Sequence, residues 1–121
     1  MVGIYSIINH KNGKRYIGQS VRTSLRIHSH FKSLSNKRHP NKMMQKEYNE
    51  NARFFNYEIL EFNVPLNLLS QREAFWVDYY KTLDSKHGYN RQKISEVRKY
   101  TKKIKKYSKS KRKYVVVKKG V

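Results

Sequence analysis

The feature that most restricts this chain lies at its start. Val2 to Asn9 alternates β-branched and small residues, Lys11-Asn12-Gly13-Lys14 carries an Asn-Gly turn signal, and Arg15 to Gln19 resumes the strand pattern through Tyr16 and Ile17. This order predicts an N-terminal β-hairpin. Side chains on one face of a strand recur every second residue, and opposed residues share a face. With Asn12-Gly13 as a two-residue loop, paired positions sum to 25, and Tyr16 stands opposite Asn9, which has the parity of Tyr5. Tyr5 and Tyr16 then project to the same side of the sheet. Any register with an odd sum keeps them there, and the register sets only their separation.

Helical patterns follow. Thr23 and Ser24 are N-cap candidates for a helix from about Leu25 to Leu34, with Ile27, Phe31 and Leu34 as its apolar stripe. Arg26 and His30, spaced i, i+4, share one edge of it. A shorter helix, roughly Asn41 to Asn49, follows Pro40, with Met44 and Tyr48 as its buried pair, and Phe54 to Asn63 reads as a third strand ended by Val64-Pro65. The strongest helical signal runs from Leu66 to about Leu83, with Leu68, Leu69, Phe75, Trp76, Tyr79 and Tyr80 as its apolar set. Glu73 falls on that stripe. A carboxylate facing the body of a protein is costly unless it is paired or binds a metal. Gly88-Tyr89-Asn90 closes the globular part as a turn.

Composition then limits the function classes. Among 121 residues there are 28 Lys and Arg against 8 Asp and Glu, a formal net charge of +20, and no cysteine. The length gives one domain. Without cysteine there is no disulfide framework, thiol nucleophile or Cys-based zinc module. No apolar run approaches the roughly 20 residues of a membrane span, and MVGIYSIIN has neither a basic leader nor a cleavable site. The expectation is an intracellular protein that is not secreted, with no membrane partner.

Residues 1–90 hold 14 basic and 7 acidic side chains, whereas residues 91–121 hold 14 basic side chains and one acidic one, Glu96. Two regions are therefore expected: a folded domain over residues 1–91 and a Lys/Arg-rich tail over residues 92–121. In the tail Val97, Tyr100, Ile104 and Tyr107 recur with a helical period, and Tyr114 to Val117 is a short β-prone run. An amphipathic basic helix and a disordered, nonspecific polycation both fit. Such charge favours a polyanion, because each neutralised phosphate releases condensed counterions. Nucleic acid is the expected partner, contacted through the tail residues Arg98, Lys99, Lys102, Lys103, Lys105, Lys106, Lys111, Arg112 and Lys113. Tyr100, Tyr107 and Tyr114 would add base stacking on an opened or single-stranded target.

In order along the chain stand Gly3-Ile4-Tyr5, Tyr16-Ile17-Gly18, Arg26 with His30, Glu73, and Gly88-Tyr89-Asn90. Each motif is weak alone, but the ordered set closely resembles the GIY-YIG nuclease family over about residues 2–91. The resemblance implies an α/β fold, a small sandwich with a central three-stranded, mostly antiparallel β-sheet flanked by helices, here with a basic C-terminal extension. It also implies cleavage of one phosphodiester strand per site with one divalent metal, Mg²⁺ or Mn²⁺, and no small-molecule cofactor. Carried over residue by residue, Tyr5 is the general base, Tyr16 orients Tyr5 or the attacking water, and Arg26 binds the scissile phosphate. His30 supports the tyrosine pair or relays its proton, Glu73 holds the metal, and Asn90 braces the site.

The chemistry suits these residue types. A tyrosine with a pKa near 10 works as a base only where positive charge stabilises its phenolate or its proton can be passed on. A guanidinium matches the charge gathering on phosphate oxygens. One inward carboxylate suits one Mg²⁺ that keeps most of its waters. Taken singly, each residue also has a structural reading: Tyr5 and Tyr16 as strand aromatics, Arg26 and His30 as a solvated helix edge, Glu73 paired with Arg72 or Arg53, Asn90 as a turn residue. His28 and His30 point to different sides of their helix, and His10, His39 and His87 fall in loops where exposure is expected.

Within the family, the missing zinc module argues against the eukaryotic resolvase type and the length against the repair nucleases. The expectation is a free-standing homing-type or viral DNA endonuclease, acting on double-stranded DNA as a monomer or transient dimer. The competing classes are a non-catalytic nucleic-acid-binding protein that keeps the fold and a ribosome- or RNA-associated basic protein. Metal-dependent nicking separates the first from both others.

Overall fold

The computed structural model describes residues 1–91. The expected tail helix, the run Tyr114 to Val117 and the contacts at Arg98, Lys99, Lys102, Lys103, Lys105, Lys106, Lys111, Arg112 and Lys113 lie outside the described residues.

Strands β1 (Gly3–Asn9) and β2 (Lys14–Ser20) form the hairpin, followed by helices α1 (Thr23–Ser35) and α2 (Lys42–Asn51), strand β3 (Phe55–Phe62) and helix α3 (Leu69–Tyr80). The sheet order is β2-β1-β3, antiparallel throughout. All seven residues of β1 are buried, as expected of a central strand covered on both faces. On one face Tyr5 and Ile7 pack with Ile27 and Leu34 of α1, Met44 of α2, Phe55 and Tyr89. On the other Ile4 and Ile17 pack with Leu69, Trp76 and Val77 of α3. The result is a three-layer sandwich, with α1 and α2 above the sheet and α3 below. Each fully buried Ile contributes about 1.5–3 kcal/mol of transfer free energy.

The hairpin register departs from the expected one. Pairs run from Gly3↔Ser20 to Asn9↔Lys14, a sum of 23, so Tyr16 stands opposite Ile7 and Tyr5 opposite Gly18. The cause is Asn9, whose carbonyl accepts from Gly13 N–H (2.7 Å) and whose Oδ1 accepts from Lys11 N–H (3.0 Å), closing a four-residue loop. Gly13 supplies the positive φ (78°) that loop requires. The sum remains odd, and the two tyrosines share the α1 face.

Helix ends also differ from expectation. In α1 the cap position is Arg22, without a side-chain cap, and Thr23 lies inside the helix with its Oγ1 buried and unpartnered. Asn41 caps α2, its side chain accepting from Met44 N–H, while Tyr48 is half-buried rather than buried. The Leu66–Leu83 pattern splits into a 3₁₀ turn (Leu66–Leu68) and α3, which stops where Lys81 adopts φ 55°. Tyr79, expected inside, is 63% exposed, and Arg72 is 2% exposed instead, its Nε donating to Glu61 at 2.7 Å. Gly88 to Asn90 is not a turn. The segment runs alongside β2 through a parallel bridge, with Tyr89 N–H donating to Arg15 O at 2.9 Å.

Candidate functional site

The site forms around β2, where the upper helices and α3 both reach the sheet. A cavity of about 430 Å³ is lined by Tyr16, Arg26, His30, His39, Glu73 and Asn90, with Ser29, Ser33, Pro40, Asn41 and Arg91 completing its wall. Five of the six expected residues therefore meet at one surface. Tyr5 does not line it. It is 1% exposed, on the central strand β1, and its Oη lies 2.7 Å from His30 Nε2.

The tyrosines flank the imidazole of His30, their ring centroids 5.5 Å (Tyr5) and 5.2 Å (Tyr16) from it. Gly18 makes this arrangement possible. It stands opposite Tyr5 in the sheet, and a Cβ there would overlap the Tyr5 ring and phenol oxygen. Burial pushes both phenols above their ordinary pKa, reinforced at Tyr5 by the neighbouring Tyr16 and at Tyr16 by Glu73, while the Arg26 guanidinium pulls both back. Arg26 itself is exposed on α1, one turn before His30.

His30 is buried, and burial with the charge of Arg26 and the neighbouring His39 lowers its pKa to about 4. His39, expected to be exposed, is only 8% exposed. Its ring stacks on that of His30, with the nearest nitrogens 2.8 Å apart. The reason is the loop between α1 and α2. Gln45 accepts from His39 N–H, and the side-chain amide of Asn41 donates to Tyr89 O, which pins the loop beside the site.

Glu73 comes from α3, the opposite layer, and meets β2 through Gln19, whose Nε2 donates to its Oε1 at 3.1 Å. It pairs with neither Arg72 nor Arg53: Arg72 serves Glu61, and Arg53 lies over the Phe54 ring. Burial pushes its carboxyl above the usual range, partly opposed by Gln19. Among the described residues no ion pair forms at Glu73 and no cluster of three or more His, Asp or Glu is poised to enclose a metal. A half-buried carboxylate with one neutral donor and no ion pair among the described residues fits a divalent cation completed by water and substrate oxygens. Asn90 braces β2: its Oδ1 accepts from Ile17 N–H (2.8 Å) and its Nδ2 donates to Ile17 O (2.9 Å), next to Tyr16.

His39, Gln19 and Arg91 were not singled out by the sequence. Ser29 and Ser33 could have been, since with Arg26 and His30 they follow the helical spacing of one face. His39 and Gln19 carry no local signal, because each acquires its role from a partner on another element.

The Tyr16 phenol, a guanidinium and a carboxylate without an ion pair among the described residues share one cavity, with the buried Tyr5 phenol behind them, a set of groups that suits catalysis on an anionic substrate. Comparison with known proteins supplies the family. Residues 1–90 match the GIY-YIG catalytic domain, and the chain belongs to the GIY-YIG family. It is 37% identical over 91 residues to the intron-associated endonuclease 1 of enterobacteria phage T4, a match covering 73% of this chain and 36% of that protein. The chain thus spans about a third of the length of that curated relative. Among solved structures, the catalytic domain of the homing endonuclease I-TevI superposes with a TM-score of 0.68 at 30% identity, covering 77% of this chain and 100% of that one. A single-substitution variant of the same catalytic domain gives 0.65 at 31% identity, over 74% and 91%. These likenesses bear out the expected family and the three-stranded sandwich.

Proposed function

We propose that the chain is a divalent-metal-dependent DNA endonuclease of homing or viral type. The observation that carries this reading is the half-buried Glu73 carboxylate, without an ion pair among the described residues, sharing one cavity with Arg26 and Tyr16. It is supported by the likeness to a phage protein named as an intron-associated endonuclease.

Arg26 is aimed at the scissile phosphate and stabilises the charge that builds on its oxygens during attack. Tyr5 is the general base and Tyr16 orients it or the attacking water, with Arg26 stabilising the phenolate form and His30 either supporting the tyrosine pair or relaying its proton. Glu73 would hold one Mg²⁺ or Mn²⁺, which supplies charge neutralisation at a phosphate oxygen and the leaving group. Asn90 holds the β2 backbone on which Tyr16 is mounted. Because Tyr16 lines the cavity and Tyr5 lies behind it, a second reading exchanges their roles, with Tyr16 taking the proton and Tyr5 orienting it.

Double-stranded DNA is the proposed substrate, bound by a monomer or transient dimer inside the cell. The tail supplies backbone contacts through Arg98, Lys99, Lys102, Lys103, Lys105, Lys106, Lys111, Arg112 and Lys113. With a net charge of +20, binding should weaken steeply with salt. No helix among the described residues is long and apolar enough to cross a membrane.

The test is nicking of supercoiled plasmid with Mg²⁺ and with chelator, using wild type, Glu73→Ala, Tyr5→Phe and Tyr16→Phe. Cutting by wild type alone, with all variants still binding DNA, supports the site. Binding without cutting by wild type makes the protein a non-catalytic nucleic-acid-binding module. In residual single-turnover cleavage, a pH–rate profile that loses its rise with pH in only one tyrosine variant identifies the base.

A further inference from the structure

A second histidine, His39, lines the site beside His30, in a hydrogen-bond chain whose direction is fixed at one end. His39 Nδ1 accepts from the backbone N–H of Asn41 at 3.0 Å. A backbone amide can only donate, so this nitrogen carries no proton, and the neutral ring must carry its proton on Nε2. That Nε2 lies 2.8 Å from His30 Nδ1. His30 Nδ1 is therefore the acceptor, and its own proton sits on Nε2, 2.7 Å from Tyr5 Oη. The whole sequence runs one way: Asn41 N–H to His39, His39 to His30, His30 to Tyr5.

We propose that His39 is a positioning residue that fixes His30 in the Nε2–H form, so that His30 donates to Tyr5 rather than receiving its proton. The proposal rests on the nuclease reading of the site and decides between the two roles which that reading leaves to His30. A donor aimed at the phenol oxygen favours phenolate over phenol, and it leaves the hydroxyl hydrogen of Tyr5 uncommitted to His30. Without His39, His30 Nδ1 loses its donor. The ring is then free to take the opposite tautomer, with Nε2 accepting from Tyr5. Burial supports neutral rings at neutral pH, with His30 titrating at about 4 and His39 also below its ordinary value. The loop is anchored independently of the ring, through His39 N–H to Gln45 and Asn41 to Met44 and Tyr89, so the ring can be replaced while the loop keeps its place.

The experiment uses the full-length ¹⁵N-labelled chain, with long-range ¹H–¹⁵N correlation spectra of the histidine rings at neutral pH. Wild type should show His30 protonated on Nε2 and bare at Nδ1. His39→Leu should shift His30 toward the Nδ1–H form. His39→Gln, whose amide can donate in the same direction, should keep it. In plasmid nicking, His39→Leu should lower kcat by about 10- to 100-fold with DNA affinity within twofold of wild type, and His39→Gln should recover most of the loss. A wild-type spectrum with the proton on His30 Nδ1 overturns the proposal without any variant, as does an unchanged His30 tautomer in His39→Leu. Equal nicking by wild type and His39→Leu overturns it too. Should the chain cut no DNA, the spectra still decide the tautomer while the nuclease reading fails separately.

Discussion

Asn90→Ala gives the sharpest test of how the site is held. Asn90 makes two hydrogen bonds to the main chain of Ile17, one to N–H at 2.8 Å and one to C=O at 2.9 Å, and both residues are buried. Alanine leaves a buried donor and a buried acceptor on β2, each costing about 1–3 kcal/mol when unsatisfied. The sum is about 4 kcal/mol, a large share of the roughly 5–15 kcal/mol that holds a domain together. With a urea slope of about 2 kcal/mol/M, the midpoint should fall by about 2 M. Asn90→Asp keeps the acceptor for Ile17 N–H and loses the donor to Ile17 O. It also sets a carboxylate against that carbonyl, so it should be no better than alanine. The assay is equilibrium urea unfolding of the full chain followed by tyrosine and tryptophan fluorescence. A midpoint for Asn90→Ala within about 0.5 M of wild type would mean that water replaces the amide, and the bracing argument would fail.

Other expectations concern charge and packing. His30 is buried neutral, with its pKa lowered to about 4 from 6.5; between those values the unfolded chain binds the extra proton, so stability falls as pH drops. The loss is of order 3 kcal/mol. It should be largely absent in His30→Gln, read as the urea midpoint against pH. Glu47 acts in the same direction lower on the scale. Burial is outweighed there by hydrogen bonds from Tyr89, Asn12 and Lys14, so its folded pKa is depressed and its contribution disappears as pH falls below the ordinary carboxylate range. Glu73→Gln should abolish cleavage, by about 10²–10³-fold or more, yet raise the melting temperature of the metal-free protein at pH 7. It removes a carboxylate whose burial is offset by no ion pair among the described residues, and a lower melting temperature would refute that. Gly18→Ala should destabilise by about 1–3 kcal/mol and lose cleavage together, because its methyl group occupies the space of the Tyr5 phenol; thermal melts and plasmid nicking measure the two effects.

What the sequence determined by itself was everything that depends on local periodicity. The alternation of a strand placed Tyr5 and Tyr16 on one face whatever the register, and the helical repeat put Arg26 beside His30 and Glu73 on the inner stripe of α3. These relations follow from covalent geometry and survive shifts at element ends, and the site remained legible although the register, the α1 cap and the ends of α3 came out differently. The tertiary structure decided which groups face one another across tens of residues. Periodicity put Tyr79 inside; packing exposes it and buries Arg72 instead, because Glu61 on β3 and the Phe75 ring accommodate a guanidinium at that position. His39 read as a loop residue until Gln45, Asn41 and Tyr89 pinned that loop against His30. Asn90 read as a turn until its amide closed on the main chain of β2. In each case at least one deciding partner lies on a different element, and its distance is set by layer packing, a long-range term that no repeat of two or 3.6 residues encodes.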